Sequence, residues 1–117
     1  MDKLFLLNPN FTDESIGKPD QLFFFPHNAM MEGILQYFPT LKDQLDITYL
    51  NFPRPRKPLI ELLGEKHQGT PVLIIDRENV DLSNLNVQET NGRFFIHGTK
   101  SIVAYFSRVF GISIPHP

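Results

Sequence analysis

The sequence predicts an α/β sandwich, a four-stranded mixed sheet flanked by helices, formed as one domain over residues 1–117. Three observations carry this. Short apolar or β-rich runs and amphipathic stretches follow one another as β-α-β and then α-β-β-α, which calls for a layered α/β architecture. The first two strands are joined through a helix, a right-handed crossover that makes them parallel, whereas the third and fourth follow each other without one and are expected antiparallel. A chain of 117 residues, 41% hydrophobic, suffices for one core and is too short for two ordinary domains.

Leu4 to Leu7 form an apolar run closed by Asn8-Pro9-Asn10, as a strand buried on both faces would. Residues 9–22 are polar, with Gly17 and Pro19, and read as a loop. Met31, Ile34, Leu35 and Phe38 then repeat at helical spacing until Pro39, predicting a helix over 26–38. Gly33 inside it costs helix propensity, which would be explained if another backbone passed close by. Residues 46–52 are β-rich and stop at the prolines of "PRPRKP". A short helix follows, with Pro58 near its start, Leu59, Ile60, Leu62 and Leu63 in its body and Gly64 at its end. "PVLIID" (71–76) is the third strand, 77–91 a long polar connection, and "GRFFIHG" the fourth strand. Thr99 is expected to cap a last helix whose stripe is Ile102, Tyr105, Phe106, Val109 and Phe110.

Composition removes several functions. Cysteine is absent, so disulfides, thiolate catalysis and Cys-ligated metal are all excluded. Eleven basic against thirteen acidic residues leave a net charge of −2, without the electrostatic footprint of a nucleic-acid binder. The N-terminal apolar run is four residues long, below a signal-peptide core or a membrane span, and the chain is expected to be cytoplasmic, with no membrane partner. His27, His67, His97 and His116 lack the spacing that brings metal ligands together on one helix, and no metal or other cofactor is expected.

The stretch "FFFPHNAMMEGIL" puts Phe25 where a helix start favours Ser, Thr, Asp or Asn. The strand-loop-helix opening with Pro26 at the helix start, together with "Gly69-Thr70-Pro71-Val72" before the third strand, resembles the thioredoxin fold. The resemblance implies a cis-proline at Pro71 and a Thr70 backbone turned toward the first helix, where glutathione- and peptide-binding members of that fold pair with an extended ligand. More closely, "FFFPHNAMMEGIL", "NFPRPRKPLIELLGEKHQGTPVLIID", "NGRFF" and "PHP" resemble a family of uncharacterised bacterial proteins, domain of unknown function 3088. That family's helix-start turn usually reads Cys-Pro-x-Cys; Phe25, Pro26, His27 and Asn28 stand there in this chain, so no thiol-disulfide oxidoreductase activity is expected.

These readings name candidate ligand-binding residues: Phe25, Pro26, His27, Asn28, Thr70, Pro71 and Thr99. The expectation is a redox-inactive binding module for a small thiol conjugate such as glutathione, or for an extended peptide. Two alternatives stay open, a glutathione-dependent transferase-like enzyme and a homodimeric interaction protein with a vestigial groove. Phe25 either walls a groove or packs against Phe23 or the 9–22 loop. His27 is the one tempting acid-base group, since imidazoles titrate near neutrality, but the sequence supplies no orienting partner. Asn28 either meets a ligand or satisfies local backbone. "HGTKSIVAYF" resembles the glutathione-transferase segment in which an acid and a hydroxyl bind the γ-glutamyl end, with Gly98 in place of the acid and Thr99 supplying the hydroxyl. Arg54 and Arg56 are weaker candidates for gripping an anion.

Overall fold

In the computed structural model, which describes residues 1–117, the chain runs β1 (Asp2–Leu7), α1 (Pro26–Tyr37), a 3-10 turn (Pro39–Asp43), β2 (Leu45–Leu50), α2 (Lys57–Leu63), β3 (Val72–Ile75), β4 (Gln88–Thr90), β5 (Arg93–His97) and α3 (Thr99–Phe110). The strands form one mixed sheet in the order β2-β1-β3-β5-β4. β1 and β2 are parallel, with Leu4 opposite Ile47, and β3 runs antiparallel to both β1 and β5.

The sheet has five strands rather than four. The additional one, β4, lies within the stretch read as a polar connection, because Gln88, Glu89 and Thr90 present no apolar alternation. Turn chemistry makes it a strand. Thr90 pairs with Arg93 across Asn91 and Gly92, both at positive φ (51° and 72°), the two-residue hairpin turn whose twist matches that of its strands.

β1 is central and apolar on both faces, so its alternation splits the core in two. Leu4 and Leu6 join Met31, Leu35, Ile102 and Phe106 under α1 and α3. Phe5 and Leu7 point the other way and meet Leu59, Leu63, Val72 and Phe95 beneath α2. Each such buried side chain is worth roughly 1.5–3 kcal/mol of transfer free energy, which places the molecule's stability on these two layers. At the sheet's end the buried Asp2 carboxylate accepts hydrogen bonds from the Tyr105 hydroxyl (2.6 Å), the Asp76 N–H (2.8 Å) and Arg77 Nε (3.0 Å), tying β1 to α3 and to the end of β3. Burial, reinforced by that carboxylate, raises the Tyr105 phenol well above its ordinary value.

Three local expectations are corrected. Gly33 is exposed, and a Cβ built on it would meet nothing within 4 Å, so no neighbouring backbone explains it. Thr99 does not cap α3: Gly98 does, at φ 94°, and Thr99 is the first helical residue. α1 ends one residue early, at Tyr37, because Phe38 precedes a proline and leaves helical geometry (φ −124°, ψ 73°). The Arg54–Pro55 and Thr70–Pro71 peptide bonds are cis.

Candidate functional site

The start of α1 manages without a polar cap. Pro26 has no N–H to satisfy, and the Phe25 carbonyl, in extended backbone (φ −86°), accepts from both the Asn28 and Ala29 N–H groups. Phe25 is thereby free to act as a packing residue. Its ring lies 5.3 Å from that of Phe11 and 5.9 Å from that of Phe52, while Phe11 and Phe52 stack at 4.3 Å and 6°. Phe11 comes from the 9–22 loop, which is pinned at its base by reciprocal Phe11–Phe23 backbone hydrogen bonds.

Arg56 closes this side. It is 5% exposed, donates through Nε and Nη2 to the Phe52 carbonyl and through Nη1 to the Gln68 carbonyl, and lies over the Phe52 ring. Burial and the neighbouring Arg54 charge lower its pKa. With three of its five N–H groups given to carbonyls and the side chain buried, the reading of Arg56 as an anion grip is corrected; Arg54 remains exposed nearby but outside the groove described next.

On the opposite side of the α1 start lies an open groove of about 750 Å³. α1 contributes His27, Met30, Ile34 and Tyr37, and α3 contributes Thr99, Lys100, Ser101 and Val103. Thr70, Pro71, His97 and Gly98 close one end, and Ile112 to Pro115 supply a third wall. The tail reaches that position because Gly111 turns at φ 71° and the Ser107 hydroxyl holds the Ser113 carbonyl at 3.4 Å, reversing the chain along α3.

Of the candidates named from sequence, His27, Thr70, Pro71 and Thr99 meet in this groove, whereas Phe25, Pro26 and Asn28 do not line it. Asn28 is buried; its Oδ1 accepts the Leu7 N–H (2.9 Å) and its Nδ2 donates to Thr70 Oγ1 (3.3 Å). It is a strut between β1, α1 and the β3 approach. The Thr99 hydroxyl is likewise committed, donating to the His27 carbonyl at 3.0 Å, which fixes the starts of α1 and α3 side by side. Gly98 adopts φ 94° and ψ 145°, a region that glycine alone enters without strain, so an acid in its place would be costly. The backbone N–H and C=O of Thr70, in contrast, make no hydrogen bond within the chain.

Sequence reasoning did not find the apolar lane of Met30, Ile34 and Tyr37. Its signal was present, since these residues recur at i, i+4 and i+7 beside the buried Met31 and Leu35, giving α1 a broader apolar arc than one core face requires. His97 was also passed over. It borders both this groove and a smaller cavity of about 300 Å³ beside Lys66, His67 and Gln88. Gly69 makes room for its ring: a Cβ there would fall 2.6 Å from Nε2. The histidines and carboxylates do not assemble into any group of three or more that could hold a metal ion, and no helix is long and apolar enough to cross a membrane.

Fold and groove together define an α/β protein with a five-stranded mixed sheet, no thiol and one large open cleft. The chain belongs to the family described as "Protein of unknown function (DUF3088)", whose model matches residues 1–114. No curated protein and no solved structure matches it.

Proposed function

We propose that this chain is a non-redox, thioredoxin-like binding protein whose groove, between the starts of α1 and α3 and the Thr70–Pro71 segment, receives an extended ligand: a peptide or a small thiol conjugate such as glutathione. The four strands β2-β1-β3-β5, with α1 and α3 on one face and α2 on the other, support the fold assignment, β4 being an added edge. One observation carries the functional reading. Thr70 borders the groove, and its main-chain donor and acceptor are used by nothing in the chain, as β-type pairing with an extended ligand requires. The missing cysteines make this binding without thiol exchange.

Thermal unfolding in the presence of glutathione, S-hexylglutathione and a short unstructured peptide tests the proposal. A ligand at a hundred times its Kd stabilises the native state by about 2.7 kcal/mol, roughly a 10 °C rise in Tm for a domain of this size. A flat response to all three, with no chemical-shift change at Thr70, overturns it.

A further inference from the structure

We infer that the ligand of this groove is an anionic amphiphile, a carboxylate-bearing head joined to an unbranched hydrocarbon chain. The inference rests on reading the groove as a binding site but not on main-chain pairing at Thr70, which a hydrocarbon chain does not require.

The groove is chemically asymmetric. At the end where α1 and α3 begin, held together by the Thr99–His27 hydrogen bond, its side chains include Lys100, His27 and His97. Lys100 is cationic, all three side chains can donate hydrogen bonds, and none has a salt-bridge partner. No carboxylate lines the groove anywhere, although the chain as a whole holds more acids than bases. From that end the groove follows α1 from His27 to Tyr37, about 15 Å of helix at 1.5 Å per residue. Along this length the walls are Met30, Ile34, Tyr37, Val103, Ile112 and Ile114. Met30, Tyr37 and Ile114 are 56%, 83% and 76% exposed, an apolar rim with nothing of this chain laid over it.

A hydrophilic tripeptide would use the donors and leave the lane wet. A purely apolar ligand would fill the lane and leave the donors unused. A carboxylate with a hydrocarbon chain matches both, the charge complementarity fixing its direction and the methylenes supplying affinity. Two sources share this chemistry, a free alkanoate and the S-alkyl conjugate of a carboxylate-bearing thiol.

Calorimetric titration of the full chain with straight-chain alkanoates from six to fourteen carbons, below their micellar concentrations, tests the inference, with matched alkanols and alkyltrimethylammonium ions as controls. Affinity is expected to rise two- to fourfold per added methylene, the upper figure being about 0.8 kcal/mol, until the chain outruns the groove. Alkanoates should bind at least tenfold more tightly than alkanols or cations of equal length. Lys100→Glu should abolish that preference while sparing alkanol binding, and Met30→Glu should flatten the length dependence; both positions are exposed, so both variants are expected to fold. An S-alkyl glutathione series binding at least tenfold more tightly than alkanoates of equal chain length assigns the conjugate as the source, and the reverse assigns the free acid. Equal affinity for anionic and cationic amphiphiles, or no dependence on length, overturns the inference; if peptide or glutathione still raises Tm, the binding-protein reading stands, and if neither does, both fall.

Discussion

On one flank of the α1 start, Phe25 packs its half-exposed ring against Phe11 and Phe52, the latter under a buried guanidinium; on the other, His27 and Thr70 border a groove rimmed by exposed Met30 and Tyr37. Both flanks are rich in large apolar side chains. What separates them is whether the chain returns to cover them. The 9–22 loop, the connection into α2 and the connection from α2 to β3 bring Phe11, Phe52, Arg56 and Gln68 onto the first flank, whereas on the second the tail after Gly111 builds a wall and stops short of a roof. A closed flank converts its aromatic residues into stability, and an open one holds them available for a ligand.

The largest effect that would break this contrast is at Arg56. Arg56→Met keeps much of the volume but removes three charge-assisted donors and leaves the Phe52 and Gln68 carbonyls without these partners, costing about 2–4 kcal/mol. Urea denaturation measures it. Arg56→Lys should recover only part, because one ammonium cannot reproduce a planar fork on two carbonyls. A variant within 0.5 kcal/mol of the parent would mean that the flank is held by its rings alone.

Much of the fold was legible because hydrophobic period dictates it. The Leu4–Leu7 run, the Met31–Leu35 stripe and the Ile102–Phe106 stripe each bury the face their spacing implies. β4 was not, since a three-residue edge strand is specified by the Asn91-Gly92 turn and by pairing to β5 rather than by its own side chains. The site was legible in half. Thr70, Pro71, His27 and Thr99 follow from strand and helix termini that converge by topology. Asn28 and Arg56 are long-range hydrogen-bonding struts, and nothing local in sequence distinguishes a polar side chain that reaches a buried carbonyl or N–H from one that faces a ligand.

A middle-sized effect is expected from Phe25→Ala. The ring is 40% exposed and contacts two others, so its loss should cost about 1–2 kcal/mol, below the 3–5 kcal/mol of a fully buried phenylalanine. Affinity for any groove ligand should stay within twofold of the parent, because Phe25 does not line the groove. A tenfold loss of affinity would show that the two flanks are one site.

The smallest effect on stability, and the sharpest on function, is expected at Met30. It lies one position before the buried Met31 on α1 but is 56% exposed, so Met30→Glu removes little buried area and should change unfolding free energy by less than about 0.5 kcal/mol. The same substitution places a carboxylate in an apolar wall that holds none, where it would repel an anionic ligand and interrupt the lane along α1. The closed and open flanks therefore predict opposite pairings of stability and affinity: Phe25→Ala loses the first and keeps the second, and Met30→Glu does the reverse. Measuring both quantities on both variants separates a groove kept for a ligand from a gap in the packing. If Met30→Glu unfolds the protein, the rim contributes to the core after all; if Met30→Glu leaves both stability and affinity untouched, the lane along α1 has no part in binding.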